Sequence, residues 1–297
     1  MADEKLGQSS HFFFLLIAQE EKKKKIIIMN KKNICFFISN ANINKLLIFE
    51  HMLKLLKHLG KYFNMMSKVL SKPKKYSVFL GQLNLELQKI GLNSISIVTI
   101  ISFFVGGVVS IQTAFNLQNP LLPKYLIGLA SRDSLILEFS PTMIALILAG
   151  KVGSSIASEI GSMRITEQID ALEIMGMNSA SYLILPKIIA SIFFFPLLVV
   201  LSMGIGMIGA WIGALSADIT TSEFLYGLKY EFNPFYITYA IIKTIFFAFI
   251  ISSVSSYLGY FTKGGAIAVA KSSTQAVVSS SIIILILNYV LTDLILS

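Results

Sequence analysis

The chain has 297 residues, 55% of them hydrophobic and 14% charged, with a mean hydropathy of +0.73 and a formal charge of +9. Soluble domains do not reach these values, so the class is an all-α polytopic membrane protein. The single cysteine, Cys35, excludes an internal disulfide framework and reads as a buried or lipid-facing thiol, and His11, His51 and His58 lack any carboxylate or cysteine cluster at metal spacing, so no metal site is read.

Residues 1–76 hold fifteen lysines against five acids, whereas the remainder holds ten basic and eleven acidic residues. The basic balance therefore belongs to the N-terminal segment alone. That argues against nucleic-acid binding by the main domain and places this end on the cytoplasmic or equivalent side. Residues 1–75 form a basic, low-complexity extension rich in Lys, Ile and Asn. Within it, His11–Ala18 is apolar but too short to span a bilayer, and Lys22–Lys25 follow it where a signal cleavage site would stand. Residues 45–70 place apolar side chains at helical spacing with lysines opposite, which predicts an amphipathic helix on the membrane surface. The alternative is a disordered leader, with Met29, Met52 or Met65 as the start.

Residues 76–297 form the second domain. Five apolar runs there approach the ~20 residues that a bilayer core requires. They cover 94–116, 135–160, 183–215, 236–261 and 274–296, the third being long enough to be tilted or to be broken near Pro196. Asn119-Pro120 and Asn233-Pro234 mark turns between them. With the N-terminus inside, 161–182 and 262–273 are inner loops and 216–235 is outside. Lys263 and Lys271 in the last inner loop agree with this orientation.

No chemistry of catalysis emerges. The sequence has no GxxxxGK[ST] phosphate loop, no GxSxG, no HExxH and no histidine beyond residue 58, so the reading is a non-enzyme with no cofactor of its own. Ala149, Gly153, Ala157 and Gly161 recur every four residues, and Gly209 and Gly213 repeat the pattern, giving flat faces for helix packing or for a dimer contact. Glu138, Lys151, Glu159 and Lys243 are ionisable groups inside apolar runs and thus functional candidates. Lys243 either snorkels to the outer headgroups or contacts an anionic lipid headgroup in a cavity. Glu159 lies near the inner end, where it can reach water.

The segment 149–178 runs out of the second span into a short amphipathic helix. Thr166 is placed to cap it, and Glu167 and Asp170 suit its first turn. Ile165, Ile169, Leu172 and Met175 share one face, with Glu167, Asp170 and Glu173 opposite. So short a helix requires a partner surface, and its acidic face favours protein over anionic lipid.

These residues, LAGKVGSSIASEIGSMRITEQIDALEIMGMN, resemble the MlaE-type permeases, the membrane subunits of ABC lipid transporters in Gram-negative inner membranes and plastid envelopes. EQIDAL is the most specific part; Pro186 and the stretch KGGAIAVAKSSTQAVVSSSIIILILNYVL of the last span also match. The resemblance covers about 76–297. It implies five spans, a homodimer, a separate ABC ATPase that hydrolyses ATP, a partner carrying an MCE lipid-shuttling domain, and transport of glycerophospholipid or its precursors. It further implies coupling to the ATPase through Arg164, Glu167, Gln168, Asp170, Ala171, Leu172 and Met175. Family and Lys/Ile/Asn bias together point to a plastid inner envelope, with a bacterial inner membrane as the alternative. An ion-coupled secondary transporter using Lys243 or Glu138, and a non-transporting membrane scaffold, are the rival functions.

Overall fold

The computed structural model describes residues 53, 56–71, 76–117 and 122–296. The expectations for His11–Ala18, Cys35 and the Asn119-Pro120 turn lie outside the described residues. The chain divides into two compact units, Met1–Phe63 and Asn64–Ser297. In the first, residues 56–63 are helical and expose Leu56, Leu59 and Phe63. In the second, residues 64–69 are helical and bury Met65, Met66 and Val69.

Every element of the second unit among the described residues is helical, and five helices are long and apolar enough to cross a membrane. They are α1 (Phe79–Asn116), α2 (Tyr125–Ile165), α4 (Ser179–Leu215), α6 (Phe235–Tyr260) and α7 (Ala266–Leu296). Two short helices join them, α3 (Gln168–Ile174) and α5 (Thr221–Lys229). The protein is an all-α polytopic membrane protein.

The spans are longer than hydropathy predicted, and the added turns are those that carry charge. α1 begins fifteen residues before 94, through Glu86 and Lys89, and α2 begins ten before 135, through Arg132 and Asp133. These groups lower local hydropathy, yet each has a partner inside the fold. Lys187 reaches Glu86, Glu159 reaches Lys89, and Arg132 donates to Asp133 and to the carbonyls of Leu228 and Tyr230, each at 2.8 Å. α4 is not broken near Pro196: it runs unbroken through Pro186 and Pro196. A proline removes one backbone hydrogen bond, which a 37-residue helix among apolar neighbours absorbs.

Three π-helical turns interrupt α1 and α2, at Gln88–Leu92, Leu135–Met143 and Ala149–Gly153. Each widens the helix locally and rotates the side chains that follow it. The first carries Lys89, the second Glu138 and the third Lys151.

Close backbone contact decides which helices pair. A Cβ on Gly209 would strike the Phe103 carbonyl, and one on Gly213 would strike that of Gly107, so α4 lies directly on α1. Ser102 donates to Ser202 across that contact at 2.8 Å. Gly153 meets Ser255 of α6, Gly161 meets Val269 of α7, and Ala149 and Ala157 are wholly buried. Thus Ala149, Gly153, Ala157, Gly161, Gly209 and Gly213 all face other helices of the same chain. Their small size serves packing within one subunit, and no dimer contact is needed to explain it.

Candidate functional site

The elbow after α2 is built from main-chain geometry. Thr166 does not cap α3; its hydroxyl donates back to the Ser162 carbonyl at 2.9 Å and finishes α2. Glu167 supplies the turn, with φ of 59° in the left-handed region, and stands as the N-cap without a side-chain cap bond. This is a costly conformation for a residue with a Cβ. α3 stops at Gly176, whose φ of 71° suits glycine, with Met177 N–H donating to the Leu172 carbonyl at 3.1 Å. Asn178 then starts α4, accepting from Ser181 N–H and donating to the Lys68 carbonyl at 2.8 Å.

α3 is tied to the membrane helices at three points. Arg164 of α2 pairs with Asp170 at 2.6 Å, and its guanidinium lies over the Tyr260 ring, 5.8 Å from the centroid. Glu173 accepts from the hydroxyls of Ser179, at 2.8 Å, and Tyr260, at 2.9 Å. Those two bonds, Ser179 first, hold the Glu173 carboxyl below its ordinary value, with burial opposing them weakly. Ile169 is fully buried. The acidic face is therefore not uniformly outward: Asp170 and Glu173 bind the protein's own groups.

Glu167 and Gln168 are exposed at the start of α3, and two large apolar side chains are exposed at its end. Ile174 is 87% exposed and Met175 65% exposed. Of the other predicted coupling residues, Gln168, Ala171, Leu172 and Met175 line a cavity of about 360 Å³ between α3 and the inner ends of α1, α2 and α4. At its floor Lys187, almost fully enclosed, donates to Glu86 at 2.6 Å and to Glu159 at 2.9 Å. Glu159 also accepts from Lys89 at 3.2 Å, so it is paired within the protein instead of simply reaching water. Sequence reasoning missed Lys187, Glu86, Lys89 and Ile174. Lys187 was visible as a lone cation in the apolar run YLILPKIIASIFFF; Glu86 and Lys89 fell outside the span as first bounded.

Deeper in the membrane domain, Lys243 is wholly enclosed. It donates to Glu138 at 2.8 Å, to the Tyr239 hydroxyl at 2.8 Å and to the Thr292 hydroxyl at 3.0 Å. Asn288 also donates to Glu138, at 3.0 Å. Lys243 thus neither snorkels nor presents a free charge to a headgroup, because α2, α6 and α7 converge on it. No group of His, Cys, Asp and Glu among the described residues is placed to hold a metal.

Comparison with known proteins gives one consistent family. The sequence profile described as Permease MlaE matches residues 84–294. A probable ABC transporter permease protein of Rickettsia bellii is 34% identical, over 83% of this chain and 95% of its own. The protein TRIGALACTOSYLDIACYLGLYCEROL 1, chloroplastic, of Arabidopsis thaliana is 32% identical, over 70% of this chain and 59% of its own. The probable ABC transporter permease protein ycf63 of Pyropia yezoensis is 32% identical, over 76% of this chain and 86% of its own.

Proposed function

The chain belongs to the MlaE permease family and is the permease component of an ABC transporter, and on that premise we propose that it moves glycerophospholipid. In this reading a separate ATPase docks on α3 and hydrolyses the ATP, two copies of the permease form the transport path, and an MCE-domain protein exchanges lipid with them. A plastid inner envelope is the favoured location, with a bacterial inner membrane as the alternative.

The observation that supports the ATPase docking is the pair Ile174 and Met175, two large apolar side chains exposed at the end of a helix anchored from behind. Such anchors bind well when a partner pocket encloses them. Arg164–Asp170 and the Glu173 bonds connect α3 to the ends of α2, α4 and α6, so a push on α3 is delivered to three spans together. Lipid extraction needs such a drive, because each CH₂ removed from an apolar environment costs about 0.8 kcal/mol. An apolar path between two permease copies would offset that cost. The sequence contains no phosphate loop, in keeping with nucleotide chemistry on another chain.

The test replaces Ile174 and Met175 by Asp in the tagged full-length protein and measures ATPase co-purification and bound lipid. Loss of the ATPase from a permease that is still membrane-inserted is expected. Undiminished co-purification removes α3 as the docking element, and absence of any ATPase from the unmodified protein removes the transporter reading.

A further inference from the structure

A second cavity, of about 240 Å³, lies between the π turn of α1 and the inner half of α2. Lys89, Asn93 and Ser94 of α1 face Lys151 and Ser155 of α2 across it. Glu86 and Glu159 border it too, but both direct oxygens to Lys187 on the far side. The lining thus carries two lysines and two carboxylates, and because Lys187 outside the cavity takes an oxygen of each carboxylate, Lys151 is left without one.

Lys89 is 56% exposed and, with three donors, keeps capacity beyond its bond to Glu159. Lys151 donates to the Asn93 main-chain carbonyl and has no carboxylate within ion-pair distance among the described residues. Between them Ser94 is fully buried, and its hydroxyl has no hydrogen-bond partner. Ser110, Ser131, Ser255 and Ser256 share that state, but of the five only Ser94 lines this cavity, where an acceptor on a ligand would complete it.

We propose that this cavity binds a phosphate group, with Lys89 and Lys151 answering its charge and Ser94 donating a hydrogen bond. A phosphate offers several acceptor oxygens to ammonium and hydroxyl donors at once. The volume lies below the roughly 300–1,000 Å³ of pockets that enclose a whole drug-sized ligand, so a headgroup fits and acyl chains stay outside. Leu92 and Ile100, 56% and 58% exposed on α1, offer those chains an apolar surface next to the mouth. The site uses no residue of α3 and does not depend on the transport reading.

The purified, delipidated full-length protein is titrated with phosphatidate, with diacylglycerol of the same chains, and with inorganic phosphate, read by native mass spectrometry and calorimetry. Phosphatidate is expected to bind in preference to diacylglycerol. Lys89→Ala with Lys151→Ala should weaken it by at least about tenfold, and Lys151→Arg should retain it. Competition by inorganic phosphate at similar concentrations assigns the site to free phosphate, and its failure to compete assigns it to a lipid headgroup; either supports phosphate recognition. Ser94→Ala, which removes a single oxygen, provides the reading if the lysine variants do not fold, and should also weaken phosphatidate. Equal binding of phosphatidate and diacylglycerol, or unchanged phosphatidate affinity in a folded variant, overturns the proposal.

Discussion

The ammonium of Lys243 on α6 lies 2.8 Å from a carboxylate oxygen of Glu138, which the π turn of α2 turns toward it. The two ends are unequal: the Lys243 side chain is fully enclosed, while that of Glu138 is 40% exposed. Glu138→Gln therefore strands a buried cation, a loss of about 3–5 kcal/mol. Lys243→Met leaves a carboxylate that Asn288 and Thr142 still reach, and costs less. The double variant should recover much of the Glu138→Gln loss. Thermal unfolding of the four proteins in detergent gives the coupling; simple additivity would mean that the pair does not act as a unit.

Gly106 of α1 lies so close to α4 that an added Cβ would overlap the Gly206 carbonyl. Gly106→Ala must push two backbones apart and should cost about 1–3 kcal/mol. Gly81→Ala, on the same helix with nothing within 4 Å, should be neutral or raise stability by up to about 1 kcal/mol. Melting temperatures of the two variants should move in opposite directions or differ clearly in size.

The Glu173 carboxyl is held below its ordinary value by the Ser179 and Tyr260 hydroxyls. The folded state thus takes up its proton less readily than the unfolded chain. Its contribution is complete above the ordinary carboxylate range, about pH 4, and fades as pH falls through the lower folded value. Glu173→Gln should loosen α3 at neutral pH, seen as faster amide exchange in 168–174. The difference from the unmodified protein should narrow in acid, and a constant difference would contradict the assignment.

α5 begins with a complete capping box: Thr220 accepts from Glu223 N–H, and the Glu223 carboxylate accepts from Thr220 N–H at 3.0 Å. Thr220→Ala should cost about 1 kcal/mol. The loss should appear as a lower unfolding midpoint and as increased amide exchange in Thr221–Lys229, with the exchange of α3 unchanged.

How far the sequence could be read depended on whether the signal was local. The five apolar runs and the helix after Arg164 follow from hydropathy and periodicity. So does the family, carried by EQIDAL and its surroundings. The ends of α1 and α2 were not legible, since Glu86, Lys89 and Arg132 read as loop until their partners, up to about a hundred residues away in sequence, are known. Thr166 resembled a cap because its residue type suits one; a competing bond to Ser162 moved the turn to Glu167.

The sequence by itself determined that this is a five-span membrane permease with a short helix after its second span, because a bilayer demands long apolar helices whatever packs beside them. Only the tertiary structure decided which charges are spent inside the protein and which remain available. Lys243, an isolated cation in the sequence, is answered by Glu138 across the bundle, and two of the three acids on or capping α3, Asp170 and Glu173, are taken up by Arg164, Ser179 and Tyr260. What is left over is Glu167 with the apolar Ile174 and Met175 on α3, and Lys151 with Ser94 beside α1. The reason is physical: pairing within a membrane domain depends on which spans adjoin, and α1, α2, α4, α6 and α7 adjoin through glycine and serine contacts that no single span encodes.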